Sequence, residues 1–137
     1  MASASVAAAV KAYLDANWSG LPLRYPNVGS ASAPADASSF IQVEYPVATR
    51  IQESIGAPGF NRVRETGTIG FIIAAQRGDG IDAGGATADA LAALFRNARF
   101  GGVLCWEPSP AVEDNRNQDG NYFRLSMTVE YWFDILA

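Results

Sequence analysis

The sequence predicts an α+β protein: a mainly antiparallel, mixed sheet with two helices packed on one face, arranged as a two-layer sandwich. Three observations carry this expectation. Two stretches, one near the N-terminus and one after residue 82, repeat apolar residues at helical spacing. Thr68 to Ala75 is apolar on both faces, as in a central strand covered on both sides. Phe123 to Ile135 alternates apolar and mostly polar positions, the pattern of an antiparallel strand with one core face. At 137 residues the chain suits a single domain, 1–137. Such a domain can bury roughly two thirds of its unfolded surface, enough for a core without staples.

Residues 3–18 read as a helix, because Val6, Val10, Tyr13, Leu14 and Trp18 share one face and Ser19-Gly20 stops it. Residues 19–39 hold three prolines, several serines and two glycines without a period, so they are expected to form a long loop or arm used for binding. Residues 40–45 alternate as a strand that Pro46 ends or places on an edge. Ala57-Pro58-Gly59 marks a turn, and residues 60–66 and 68–76 read as strands broken at Gly67. Gly78-Asp79-Gly80 turns the chain, and Asp82 is the expected N-cap of a second helix reaching about Arg99. Ala88, Leu91, Leu94, Phe95 and Ala98 form its apolar stripe. Gly101-Gly102 is expected to end that helix, Val103 to Glu107 to form a strand, and 108–121 to be a second long, polar loop.

Composition narrows the function. Charged residues make up only 18% of the chain, a sign of surface covered by partners. The net charge of −4 argues against sequence-specific nucleic-acid binding, which needs clustered Lys and Arg, and Lys11 is the one lysine. A lone Cys105 cannot form an intrachain disulfide. Neither a leader-like N-terminus nor a membrane-length apolar run is evident, so the expectation is a chain folded in the cytoplasm and not in a membrane.

Catalytic chemistry finds little support. Histidine is absent, which removes the commonest general base, the commonest metal ligand and every Ser-His or Cys-His system. Cys105 lies in an apolar strand beside Trp106 and reads as a structural thiol. Glu53, Glu65, Asp79, Asp82, Glu113 and Asp114 are better explained by solvation or capping than as paired catalytic acids. The glycine-rich run from Gly78 to Gly85 lacks the lysine of a phosphate loop, carries two aspartates that would repel phosphate, and lacks the alternate acids of a calcium loop. The expectation is a non-enzyme with no metal and no cofactor.

The order of elements resembles a known family. It comprises the helix ending at Trp18, the arm Gly20-Leu21-Pro22-Leu23-Arg24-Tyr25-Pro26-Asn27 and the Phe40-Ile41-Gln42-Val43 strand. An apolar strand running into Gly78-Asp79-Gly80, a helix holding Leu91-Ala92-Ala93-Leu94-Phe95 and a long alternating final strand complete it. In this order the chain resembles the tail terminator, or tail completion, proteins of long-tailed bacteriophages. The resemblance implies a homo-hexameric ring at the head-proximal end of the virion tail, assembled in the host cytoplasm. Such a ring caps the tail tube, ends its polymerisation and offers a docking face to the head-side connector or neck, with DNA passing through its lumen. Ring closure joins two different patches of one subunit. The candidates are Arg124, Glu130 and Trp132 on the last strand, with Arg62 and Arg64 on the hairpin. Arg24, Tyr25, Arg116 and Asp119 are candidates for contacts with the tube or connector. Alternatives are another head–tail connector, neck or minor tail protein, or a small-ligand-binding α+β domain.

Overall fold

The computed structural model describes residues 1–26, 38–78, 80–113 and 122–137. Its elements are α1 (Ala4–Asn17), β1 (Leu23–Arg24), β2 (Phe40–Gln52), β3 (Arg62–Gln76), α2 (Asp82–Phe95), β4 (Arg99–Phe100), β5 (Val103–Cys105), β6 (Val112–Glu113) and β7 (Tyr122–Leu136). The α+β class holds, with two helices and a mixed, curled sheet. Strands run in the order β1-β2-β3-β7-β5-β4, with β6 also on β7. The β1–β2 pair is parallel and the other pairs among the described residues are antiparallel.

The centre is β3, paired along its whole length with β7, from Arg62 opposite Leu136 to Gln76 opposite Tyr122. Its apolar run is buried as expected. The core joins Val6, Val10 and Leu14 of α1, Leu91 and Phe95 of α2, and the strand residues Ile41, Val43, Ile69, Phe71, Ile73, Met127, Val129 and Tyr131. Aromatic edges lock this cluster, with Phe95 meeting Phe71 at 5.2 Å and Tyr13 at 5.4 Å. Tyr13 in turn stacks on Phe100 at 4.2 Å.

Several boundaries differ from the sequence reading. The strand beginning at Phe40 does not stop at Pro46 but runs to Gln52, with a register shift between Glu44 and Val47 absorbing the proline. Because β1 covers β2 only at Ile41 and Gln42, Pro46 does sit where the outer edge carries no described strand. Gly67 does not break β3. It is glycine because a Cβ there would meet the Val47 carbonyl and lie 2.7 Å from the Tyr131 hydroxyl. Asp82 is not the N-cap; it is the first helical residue, after Ile81, and makes no side-chain cap bond. That helix ends at Phe95 rather than near Arg99, since Asn97 turns the backbone with a φ of 50°. Gly101 and Gly102, both left-handed, make the tight turn between β4 and β5 rather than a helix end. The strand expected from 103 to 107 ends at Cys105. Each long loop contains a short paired strand, β1 in the first and β6 in the second.

Candidate functional site

Register decides which candidate residues meet. Residues paired across neighbouring strands share a face of the sheet. Arg64 lies opposite Asp134 on β7 and Ile51 on β2, while Arg62 lies opposite Leu136. At this end, the face opposite the buried side chains of Glu65 and Tyr131 carries a closed ionic network. Arg64 grips Asp134 in a two-pronged bond, Nε to Oδ1 at 2.8 Å and Nη2 to Oδ2 at 3.0 Å. Arg62 adds a bond to Asp134 at 3.2 Å and an ion pair with Glu53 at 3.2 Å, and Glu53 also reaches Arg64 at 3.7 Å. The hydrogen bond from Arg64 holds the Asp134 carboxyl below the usual range, and the same bond raises the guanidinium.

The Arg64 guanidinium also lies 3.9 Å over the Trp132 ring, and Trp132 meets Trp106 edge-on at 4.8 Å. The planar cation is thus fixed both in its own plane, by the carboxylate, and on one face, by the indole. Arg62, Arg64 and Trp132 are therefore brought together, with Glu53, Asp134 and Trp106 as partners that sequence reasoning did not assign. Exposed apolar side chains surround them: Val47, Ile51 and Leu136 on the same face, with Ile55 and Phe60 at the tip of the β2–β3 hairpin.

Arg124 is not part of this network. It pairs with Ala74, ten residues along β7 from Asp134, or about 30 Å of strand. There it lies over Tyr122 at 5.7 Å, while Arg24 lies over Phe40 at 4.9 Å. Phe40 and Tyr122 meet edge-on at 5.3 Å, so two residues expected to serve different contacts flank one aromatic pair. Glu130 stands between the two ends, exposed and opposite Thr68, and its carbonyl accepts the Trp106 N–H at 2.9 Å. Arg116 and Asp119 lie outside the described residues, as do Asp79 and Asp114.

Tyr25 serves a separate hollow beside α1. Its hydroxyl donates to Asp15 at 3.4 Å and Lys11 sits 5.4 Å from its ring. Burial, then the neighbouring Asp15, pushes its pKa up to about 12. The hollow is walled by Met1, Ala7, Ala8, Lys11, Tyr25, Pro26 and Tyr45 and measures about 220 Å³. Tyr45 lines it in part, but its hydroxyl is buried without a hydrogen-bond partner among the described residues, and burial pushes its pKa up to about 12.

The carboxylates do not form a catalytic pair. Glu65 is 3% exposed, so solvation does not account for it. It accepts from the Tyr131 hydroxyl at 2.7 Å, the Ser3 N–H at 3.1 Å and Arg50 at 3.2 Å, tying the start of α1 to β2, β3 and β7. Burial alone would raise its pKa, but these bonds outweigh it and hold the carboxyl below the usual range. Burial pushes the Cys105 thiol up to about 12. Among the described residues no group of three or more His, Cys, Asp or Glu is placed to hold a metal.

Comparison with known proteins adds the family. No curated protein sequence matches the chain. A solved structure of a protein without a descriptive name superposes with a TM-score of 0.62 at 20% identity, covering 96% of this chain and 94% of its own. It shares the fold. The family model described as phage tail terminator protein matches residues 5–131, from the first turn of α1 to Tyr131 in β7. The chain belongs to the phage tail terminator protein family, and is a structural component of a bacteriophage tail.

Proposed function

We propose that this chain forms a homo-hexameric ring that caps the head-proximal end of the tail tube, ends its polymerisation and presents a docking surface to the head-side connector. In this reading α1 and α2 form one layer on one face of the curled sheet, and the opposite face is also available for assembly. The observation that carries the proposal, beside family membership, is the end of the β2–β3–β7 blade. There Ile51, Ile55, Phe60 and Leu136 are 64–88% exposed around ion pairs already satisfied within the subunit.

A surface of this kind suits a protein partner. Apolar area is available for burial, while the arginines are pre-ordered on carboxylates and an indole and lose little freedom on contact. Arg62, Arg64 and Trp132 serve as the subunit-contact group of this reading, with Glu130 beside them. Arg124, at the opposite end of β7, is the remaining subunit-contact candidate, and Arg24, Tyr25, Arg116 and Asp119 serve the tube or connector contacts. The tail tube protein and the connector or neck protein are the partners, DNA passes through the lumen without sequence-specific contacts, and assembly takes place in the host cytoplasm.

Tube growth tests the reading. Tail tube protein polymerised with this chain present should give tubes of arrested length, each bearing one terminal cap. Unlimited growth at saturating protein, with no decorated ends, would contradict it.

A further inference from the structure

The molecule carries a knob and a hole that do not meet within one chain. The knob is the hairpin tip. Gly56 and Gly59 adopt left-handed conformations and the Phe60 N–H donates to the Ala57 carbonyl at 2.8 Å, which builds a tight turn projecting Ile55 and Phe60 into solvent. Ile55 is 88% exposed and Phe60 74% exposed.

The hole is the hollow of Ala7, Ala8, Lys11, Tyr25, Pro26 and Tyr45. At about 220 Å³ it exceeds the roughly 150 Å³ that holds a benzene ring in an apolar cavity. Tyr45, one of its lining residues, adds a second observation. Tyr45 is 8% exposed, yet its hydroxyl has no hydrogen-bond partner among the described residues. An orphaned buried hydroxyl is costly and is relieved by an incoming acceptor.

Size and position identify the occupant. At about 220 Å³ the hollow has room for the phenyl ring of Phe60. Within one subunit the two cannot meet, since Tyr45 and Gln52 alone are separated by about 20 Å of strand. Taking roughly 200 Å² for a fully exposed side chain of this size, Val47, Ile51, Ile55, Phe60 and Leu136 offer on the order of 600 Å² of apolar surface. That approaches the ~800 Å² per partner of a stable interface.

We propose that the β2–β3 hairpin tip of one subunit, led by Phe60, seats in the Tyr45 hollow of the next copy of this chain. Two different patches of one surface then join head to tail, the arrangement that closes into a ring. This inference rests on the ring reading above, names the surfaces that make the ring, and moves Tyr25 from the tube or connector contacts to the subunit contact.

Two surface substitutions test it. Phe60→Glu disables the knob and Ala8→Trp fills the hole; both positions are exposed, and circular dichroism checks that each variant folds. Each variant alone should associate at least about thirtyfold more weakly than wild type, the loss expected of an aromatic anchor. Mixed one to one, they should recover a two-subunit species, because one supplies an intact hole and the other an intact knob. As an independent measurement, Ile55→Cys and Ala8→Cys placed in one chain, with Phe60 intact, should cross-link between subunits under mild oxidation. Wild-type rings that persist in either variant, a mixture that stays monomeric, or no cross-link within wild-type-like rings would overturn this inference and leave the ring reading standing. A monomeric wild type would overturn both.

Discussion

The Glu65 cluster is the most exposed point of the energetic account, and Tyr131→Phe perturbs it with the loss of one oxygen. The Tyr131 hydroxyl donates to Glu65 at 2.7 Å, and the tyrosine is fully buried in the core. A hydrogen bond to a charged acceptor contributes about 1.5–3 kcal/mol, and Glu65 keeps Ser3 and Arg50 as partners. The expected loss is therefore about 2 kcal/mol at neutral pH. For a domain of this size that lowers Tm by about 6–10 °C.

The effect carries a pH signature. Glu65 has a folded pKa below its unfolded value, so its contribution is fully present above the unfolded value of about 4.3 and is lost as pH falls through the folded one. The gap between wild type and Tyr131→Phe should accordingly narrow as the solution is acidified from neutral to below pH 4. Urea unfolding followed by fluorescence at several pH values reads both quantities. A gap under about 0.5 kcal/mol at pH 7, or one that does not change with acidification, would refute the reasoning.

Two further substitutions or reagents probe the same fold. Gly67→Ala drives a Cβ against the Val47 carbonyl and the Tyr131 ring, which lies 2.9 Å away, and should cost about 1–3 kcal/mol in the same unfolding assay. Cys105 is 1% exposed with its thiol pushed up to about 12, so a disulfide reagent at pH 8 should modify the native protein at least about a hundredfold more slowly than the urea-unfolded chain. Equal rates would mean that β5 opens readily.

What the sequence made legible was local. The faces of α1 and β7 are written in their own spacing, and Val6, Val10, Leu14, Met127, Val129 and Tyr131 are buried as their period implies. What it hid was set by partners distant in the chain. Pro46 and Gly67 look like breaks, yet one is absorbed by a register shift and the other makes room for Tyr131. Both depend on which strand lies alongside.

The same limit governs the site. Alternation places Arg124 and Trp132 on one face of β7, but only the antiparallel register with β3 puts Arg64 beside Trp132 and Arg124 beside Tyr122. Glu53 and Glu65 stand alone in sequence and acquire roles only when Arg62, Arg64, Arg50 and Tyr131 fold around them. Ile55 and Phe60, flanking a Gly-Ala-Pro-Gly turn, were the one local signal of an apolar knob at a hairpin tip.

The most direct test of the assembly account is the mass and shape of the purified protein, alone and with tail tubes, by mass photometry and negative-stain microscopy. Six-membered annuli, or caps on one end of each tube, are the predicted result. A compact species that stays monomeric with tubes present would contradict it.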